Sequence, residues 1–223
     1  MTTKLFVQAI TKYLAGVVLV GLLLFLPAGT FYYWESWLFI GILFLPMFVA
    51  GIILMVRNPE LLRKRLNAKE EQNEQKAVVL ISGLLFLTMF IVAGFNRRFM
   101  WYMMPDWAVY VAAAVFLIGY ALYAEVLREN VWLSRTIEVQ EEQQVVDTGL
   151  YGIVRHPMYS ATLLLFLAMP LVLNSVWSFA IMLLYVPVIV KRIRNEEVVL
   201  EQGLAGYSDY MKRVRYRLIP FVW

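Results

Sequence analysis

Residues 157–190 read "PMYSATLLLFLAMPLVLNSVWSFAIMLLYVPVIV", thirty-four positions without one charge. A helix needs about 20 apolar residues to cross about 30 Å of hydrocarbon, so this run is too long for one crossing. "NSVW" at 174–177 reads as a turn. Residues 158–173 would then form an arm of about 24 Å at 1.5 Å per residue. The expectation is a tilted transmembrane hairpin whose arms are bent by Pro170 and Pro187. Its second arm runs on into the charged "KRIRNEEVVLEQ".

The rest of the chain has the same character. The 223 residues are 61% hydrophobic and 16% charged, with a mean hydropathy of +0.67. So much apolar surface cannot be buried in one aqueous globule, which makes this an integral membrane protein. Residues 13–34, 36–56, 77–95 and 107–124 carry no charge and predict four further spans. The first lacks a small-x-small cleavage pattern and reads as a retained helix rather than a signal peptide. The fold expectation is all-α and polytopic: four transmembrane helices plus the C-terminal hairpin. It forms one integrated membrane domain, with residues 1–127 as N-terminal helices and 128–223 as the region bearing the site. No repeat or low-complexity tract interrupts it.

Charge placement gives an orientation. Four spans and a hairpin put eighteen of the twenty Lys and Arg residues on one side, leaving Arg97 and Arg98 on the other. The positive-inside rule then places both termini in the cytosol. A net charge of +4 distributed this way suggests a membrane surface rather than nucleic acid. Trp34, Trp37, Trp101, Trp107 and Trp177 fall at the opposite interface, as an aromatic belt would. "RNPELLRKRLNAKEEQNEQK" at 57–76 predicts a short surface helix, capped by Asn58 and started by Pro59.

The composition also limits the chemistry. Cysteine is absent and His156 is the only histidine, which excludes thiolate nucleophiles and argues against a His-rich metal site. The spans hold none of the buried ionisable groups that ion pumps and proton-coupled transporters usually need. Polar residues gather at 128–160 and 191–217, both on the predicted cytosolic edge. In "TGLYGIVRHPMYS" (148–160), Pro157 forces His156 out of helical geometry and then suits a helix first turn. The helix start offers free N–H groups. Arg155, His156 and the neighbouring tyrosines could line a small pocket, or Arg155 and Tyr159 could simply anchor the interface. In "KRIRNEEVVLEQGLAGYSDY" (191–210), Arg192 and Glu196 share a helix face. They could hold a zwitterion or carboxylate, or form an ordinary ion pair worth a fraction of a kcal/mol. "YSDYMKRVRYRLIP" could be a basic membrane-surface tail.

Taken together, "GLYGIVRHPMY", the apolar hairpin and "RIRNEEVVLEQGLAGYSDYMKRVRYRLIP" resemble the isoprenylcysteine carboxyl methyltransferase family over roughly residues 128–223. That resemblance implies an S-adenosylmethionine-dependent membrane enzyme acting on a lipophilic acceptor, by default the carboxylate of a prenylated cysteine. It implies cofactor contacts from Gln143, Gln144, Val145, Val146, Tyr151, His156, Pro157, Met158, Tyr159 and Glu196, and a substrate-side catalytic arginine in Arg192. The chain departs from the family pattern in the shorter "GLAGY" and in "VRYRLIP", which bears on the acceptor more than on the cofactor. Three other readings compete. One is a phospholipid or small-thiol methyltransferase, whose acceptor must lose a proton to Tyr159, Glu197 or His156. Another is an NADPH-dependent reductase of the steroid 5-alpha type, although no GxGxxG turn is present. The last is a non-enzymatic transporter or scaffold. The acceptor's identity and the oligomeric state are not written in the sequence.

Overall fold

The computed structural model describes residues 3–66, 73–133, 137 and 139–223. The part of the 57–76 loop at 67–72, and Arg135, lie outside the described residues. The described chain is helical: α1 Thr3–Ala28, α2 Trp34–Arg57, α3 Pro59–Leu66, α4 Asn73–Phe99, α5 Asp106–Glu129, α6 Pro157–Val172, α7 Val176–Leu183, α8 Tyr185–Gly203 and α9 Tyr207–Arg213. Five segments are long and apolar enough to cross a membrane: Lys4–Ala28, Trp34–Arg57, Lys76–Phe99, Asp106–Glu129 and Val176–Gly203. The structure is thus that of a multi-pass membrane protein.

Helix boundaries follow local chemistry. Asn58, extended ahead of Pro59, closes α2 and caps α3, its Oδ1 accepting from Leu61 N at 3.0 Å. The first span is displaced from the charge-free run at 13–34. It begins at Thr3 and stops at Ala28, so residues 29–33 form the connection. Freedom from charge marks where lipid lies, not where a helix begins. Lys12 sits inside α1 and reaches the Leu66 carbonyl at 2.6 Å.

The 157–190 run folds as two apolar helical stretches joined at a turn, residues 173–174. Ser175 caps α7 by accepting from Ser178 N. Pro170 stands inside α6, and Pro187 falls in the first turn of α8, just past an interruption at Leu184 within the Val176–Gly203 span. The break comes at Leu184, since the proline ring is incompatible with a helical carbonyl four residues back, at Leu183.

The buried core includes Phe39, Phe116, Met89, Leu173, Met182, Ile189 and Ile193. Helices α5 and α6 pack closely at Gly119, where an added Cβ would come within 2.9 Å of Leu165 Cγ. At the end bearing the 173–174 turn, polar groups interlock. Asn174 (φ +57°) accepts from Met104 N at 2.6 Å and donates to Glu35 Oε1 at 3.1 Å. Its carbonyl accepts from Asn96 at 3.0 Å, and Tyr33 donates to Leu173 O at 2.6 Å. Glu35, the lone charge between the first two apolar runs, is buried in α2 with Arg97 at 3.9 Å. All five tryptophans assigned to the belt are exposed.

Candidate active site

At the other end of the bundle, α5 hands the chain to residues 130–156. Asn130 follows the helix and donates to the Tyr151 hydroxyl at 2.9 Å, while its Oδ1 takes Trp132 N at 2.9 Å. Glu129, in the last turn, accepts from Leu150 N at 3.0 Å. The approach is possible because position 149 is glycine: φ is +52°, and a Cβ there would stand 1.5 Å from Glu129 Oε1. The 3-10 turn Gly149–Gly152 then carries the Tyr151 ring inward to the buried cluster of Val126 and Leu133.

The next residues pair with the C-terminal tail. Arg155 N donates to Tyr216 O at 2.8 Å and His156 N to Arg217 O at 2.9 Å. His156 is the non-helical residue before α6, with Pro157 at the first helical position. Ser160 adds a bond to Leu218 O at 2.6 Å. Arg155 is buried and is therefore not an interfacial anchor. Its Nε donates to Glu197 Oε1 at 2.8 Å, and its Nη1 reaches the carbonyls of Val214 and Arg215 at 2.8 and 2.9 Å. Glu197 also receives Arg217 Nε on Oε2 at 2.7 Å and faces His156 Nε2 across 3.3 Å. One acid thus ties α8, the start of α6 and the tail together.

Against this hub lies a cavity. Gln143, Gln144, Val145, Val146, Tyr151, His156, Met158, Tyr159, Arg192 and Glu196 all line it; Pro157 does not, being buried in the first turn of α6. On its α8 side the Tyr159 hydroxyl donates to Glu196 Oε2 and accepts from Arg192 Nε at 3.0 Å. The face shared by Arg192 and Glu196 is thus bridged by a tyrosine from α6. The cavity volume is about 90 Å³, and the surrounding empty space, open solvent at the mouth included, is about 810 Å³. Sites for drug-sized ligands span about 300–1,000 Å³, so a nucleoside-sized ligand would occupy the mouth as well.

Sequence reasoning did not assign Asn130 or Trp132 to this cavity, set the Tyr207 and Tyr210 departure only near the end of the pocket, and did not assign Glu197 and Arg217 to the hub beside it. Tyr207 and Tyr210 belong to the "GLAGYSDY" departure. Tyr210 donates to Tyr151 O at 2.8 Å, whereas the buried Tyr207 hydroxyl has no partner among the described residues. Burial, and after it the charges of Glu197 and Glu196, push the Tyr207 phenol well above the ordinary tyrosine value. Spacing gave no signal for these residues. The adjacency of two acids at 196–197 was the one visible hint of the hub.

Two comparisons with known proteins bear on the class. Residues 107–205, from α5 to just past α8, match the sequence model of the phospholipid methyltransferase family. The match takes in less than half of the chain. A 91-residue stretch is 33% identical to Delta(14)-sterol reductase TM7SF2 of Mus musculus, covering 40% of this chain. The chain spans only 22% of that protein's length.

Proposed function

We propose that this protein moves a methyl group from S-adenosylmethionine to a lipophilic acceptor that enters from the bilayer. In this reading α6 and α7–α8 form a transmembrane hairpin with the cavity at the cytosolic edge, where a charged soluble cofactor and a lipid can both arrive. The observation that carries the proposal is the Arg192–Tyr159–Glu196 chain within the cavity lining.

The lining suits the cofactor's mixed chemistry. Val145, Val146, Leu200, Leu204 and Trp132 offer apolar wall, and Glu196 and the unpartnered Tyr207 hydroxyl offer polar contacts. When bound, S-adenosylmethionine supplies an electrophilic methyl carbon on a sulfonium. The protein's work is then positioning and exclusion of water. Glu196 would hold a cofactor hydroxyl or ammonium, with Tyr159 fixing the carboxylate's direction. Arg192, oriented by the same hydroxyl, would hold an acceptor oxyanion.

The state of the acids bears on the acceptor. Glu197 is engaged by Arg155, Arg217 and His156, and the His156 ring is turned to Glu197. The cavity therefore offers little free general base. An acceptor already ionised, such as a prenylcysteine carboxylate, needs none and is the first reading. A phospholipid amine is the second, favoured by the family match; its ammonium would have to lose a proton, with Glu196 the nearest available acid group.

The test is binding and turnover measured together. Arg192→Ala should leave S-adenosylhomocysteine affinity within about threefold of wild type while turnover falls at least about a hundredfold, as for loss of a transition-state contact. Glu196→Ala should weaken binding about tenfold or more, the scale of a charge-assisted hydrogen bond. Methyl-labelled cofactor offered to membranes with either a prenylated cysteine or an ethanolamine lipid identifies the acceptor. Equal S-adenosylhomocysteine binding by wild type and Glu196→Ala would sink the pocket.

A further inference from the structure

Four buried side-chain atoms among the described residues have no hydrogen-bond partner. Three of them, Glu35 Oε2, Ser36 Oγ and Asn96 Oδ1, belong to residues at the end of the bundle away from the cavity. The fourth is the hydroxyl of Tyr207, a cavity-lining residue only 4% exposed. A buried hydroxyl left unpaired works against folding, because it gives up its bond to water and gains none. The ring does not require it. Tyr207 packs against Tyr210 with centroids 5.6 Å apart and shares a cluster with Leu204 and Val214, contacts that a phenylalanine would make equally well.

The surroundings do not supply the missing bond. Glu197 is taken up by Arg155, Arg217 and His156, and Glu196 Oε2 receives the Tyr159 hydroxyl. The phenol stays protonated at any ordinary pH, held there by burial and by these two acids. It is a neutral group able both to donate and to accept, on a residue that lines the cavity. We propose that Tyr207 is a direct ligand of the bound cofactor, its hydroxyl hydrogen-bonding a polar group of S-adenosylmethionine. This rests on the cofactor assignment made above and adds to it a residue that the resemblance did not name as a cofactor contact.

The conservative variant Tyr207→Phe removes one atom and keeps the ring. Calorimetric titration with S-adenosylhomocysteine, in the same detergent as wild type, should show about 3- to 12-fold weaker binding, the range of one neutral hydrogen bond. Thermal unfolding without ligand should show a midpoint equal to wild type or higher, because the variant buries no unpartnered hydroxyl. Unchanged affinity overturns the proposal. So does a lower midpoint, with or without weaker binding, because the hydroxyl would then serve the fold. Wild-type protein that does not bind S-adenosylhomocysteine would overturn the cofactor assignment itself, a result separable from any behaviour of the variant.

Discussion

Replacing Glu197 with glutamine keeps the shape of the side chain and removes its charge. Glu197 is buried and accepts Arg155 Nε at 2.8 Å and Arg217 Nε at 2.7 Å. The two arginines are not equivalent. The Arg155 side chain is 7% exposed and that of Arg217 33%. Arg155 keeps two carbonyl acceptors in the variant, so it stays hydrogen-bonded but loses its counter-charge. Breaking a buried ion pair from one side costs about 3–5 kcal/mol, whereas the more exposed Arg217 adds under about 1 kcal/mol. Glutamine can still accept one bond, so the lower figure, about 3 kcal/mol, applies to it and the upper to alanine. At about 2–4 °C per kcal/mol for a chain of this size, the unfolding midpoint should fall by about 6–12 °C. Thermal unfolding in detergent reads this directly. A double-mutant cycle with Arg155→Ala and Glu197→Ala should show strong coupling, the double variant losing clearly less than the sum of the singles. A glutamine variant within about 2 °C of wild type, or additive alanine effects, would refute the reasoning.

Two further perturbations separate the ends of the molecule. Gly149→Ala should cost about 2–3 kcal/mol, from the left-handed backbone and the displaced Glu129 carboxylate with its bond to Leu150 N, and should weaken S-adenosylhomocysteine binding. Adding Glu129→Ala should relieve the collision but not the backbone strain, so a double variant clearly less stable than Gly149→Ala alone would count against this account. Asn174→Ala should cost about 2–4 kcal/mol through lost bonds to Met104 and Glu35 and a positive φ, visible as a lower unfolding midpoint. S-adenosylhomocysteine affinity should not change in that variant, because Asn174 lies at the end away from the cavity.

What the sequence revealed depended on how local each signal was. Apolar runs of 18 or more residues are set by the bilayer itself, so the spans were legible without any tertiary information. Their ends were less so. Lys12 is tolerated inside α1 with its ammonium hydrogen-bonded to a carbonyl of α3, which a charge-free window cannot anticipate. Spacing put Arg192 and Glu196 on one helix face, but it was the family resemblance that proposed them as site residues. His156 was visible because Pro157 forces a break. Arg217 was not. It lies 20 residues beyond the acid it pairs with, within a tail whose basic residues read as a membrane-surface pattern. Asn130 was missed for the same reason: its partner, Tyr151, is 21 residues further along the chain.

The pair Glu196–Glu197 shows why residue type alone could not assign roles here. Successive residues on an α-helix point about 100° apart, so two identical side chains face different neighbours. Glu196, half-buried, points to the cavity and meets the hydroxyl of Tyr159 from α6. Glu197, buried, points to the start of α6 and the tail and meets two arginines and a histidine. Three cationic or donor groups around Glu197 make it a structural acid, expensive to remove and poorly placed to accept a further proton. Among the described residues a single neutral donor meets Glu196, which leaves it capacity for a ligand, since a carboxylate has about four acceptor positions. The hub fixes the backbone of His156 against the tail, and with it the first turn of α6 that carries Tyr159. Tyr159 in turn orients both Glu196 and Arg192. Removing Glu197 should therefore act on ligand binding only through stability and geometry, whereas removing Glu196 should act on binding with less effect on the fold.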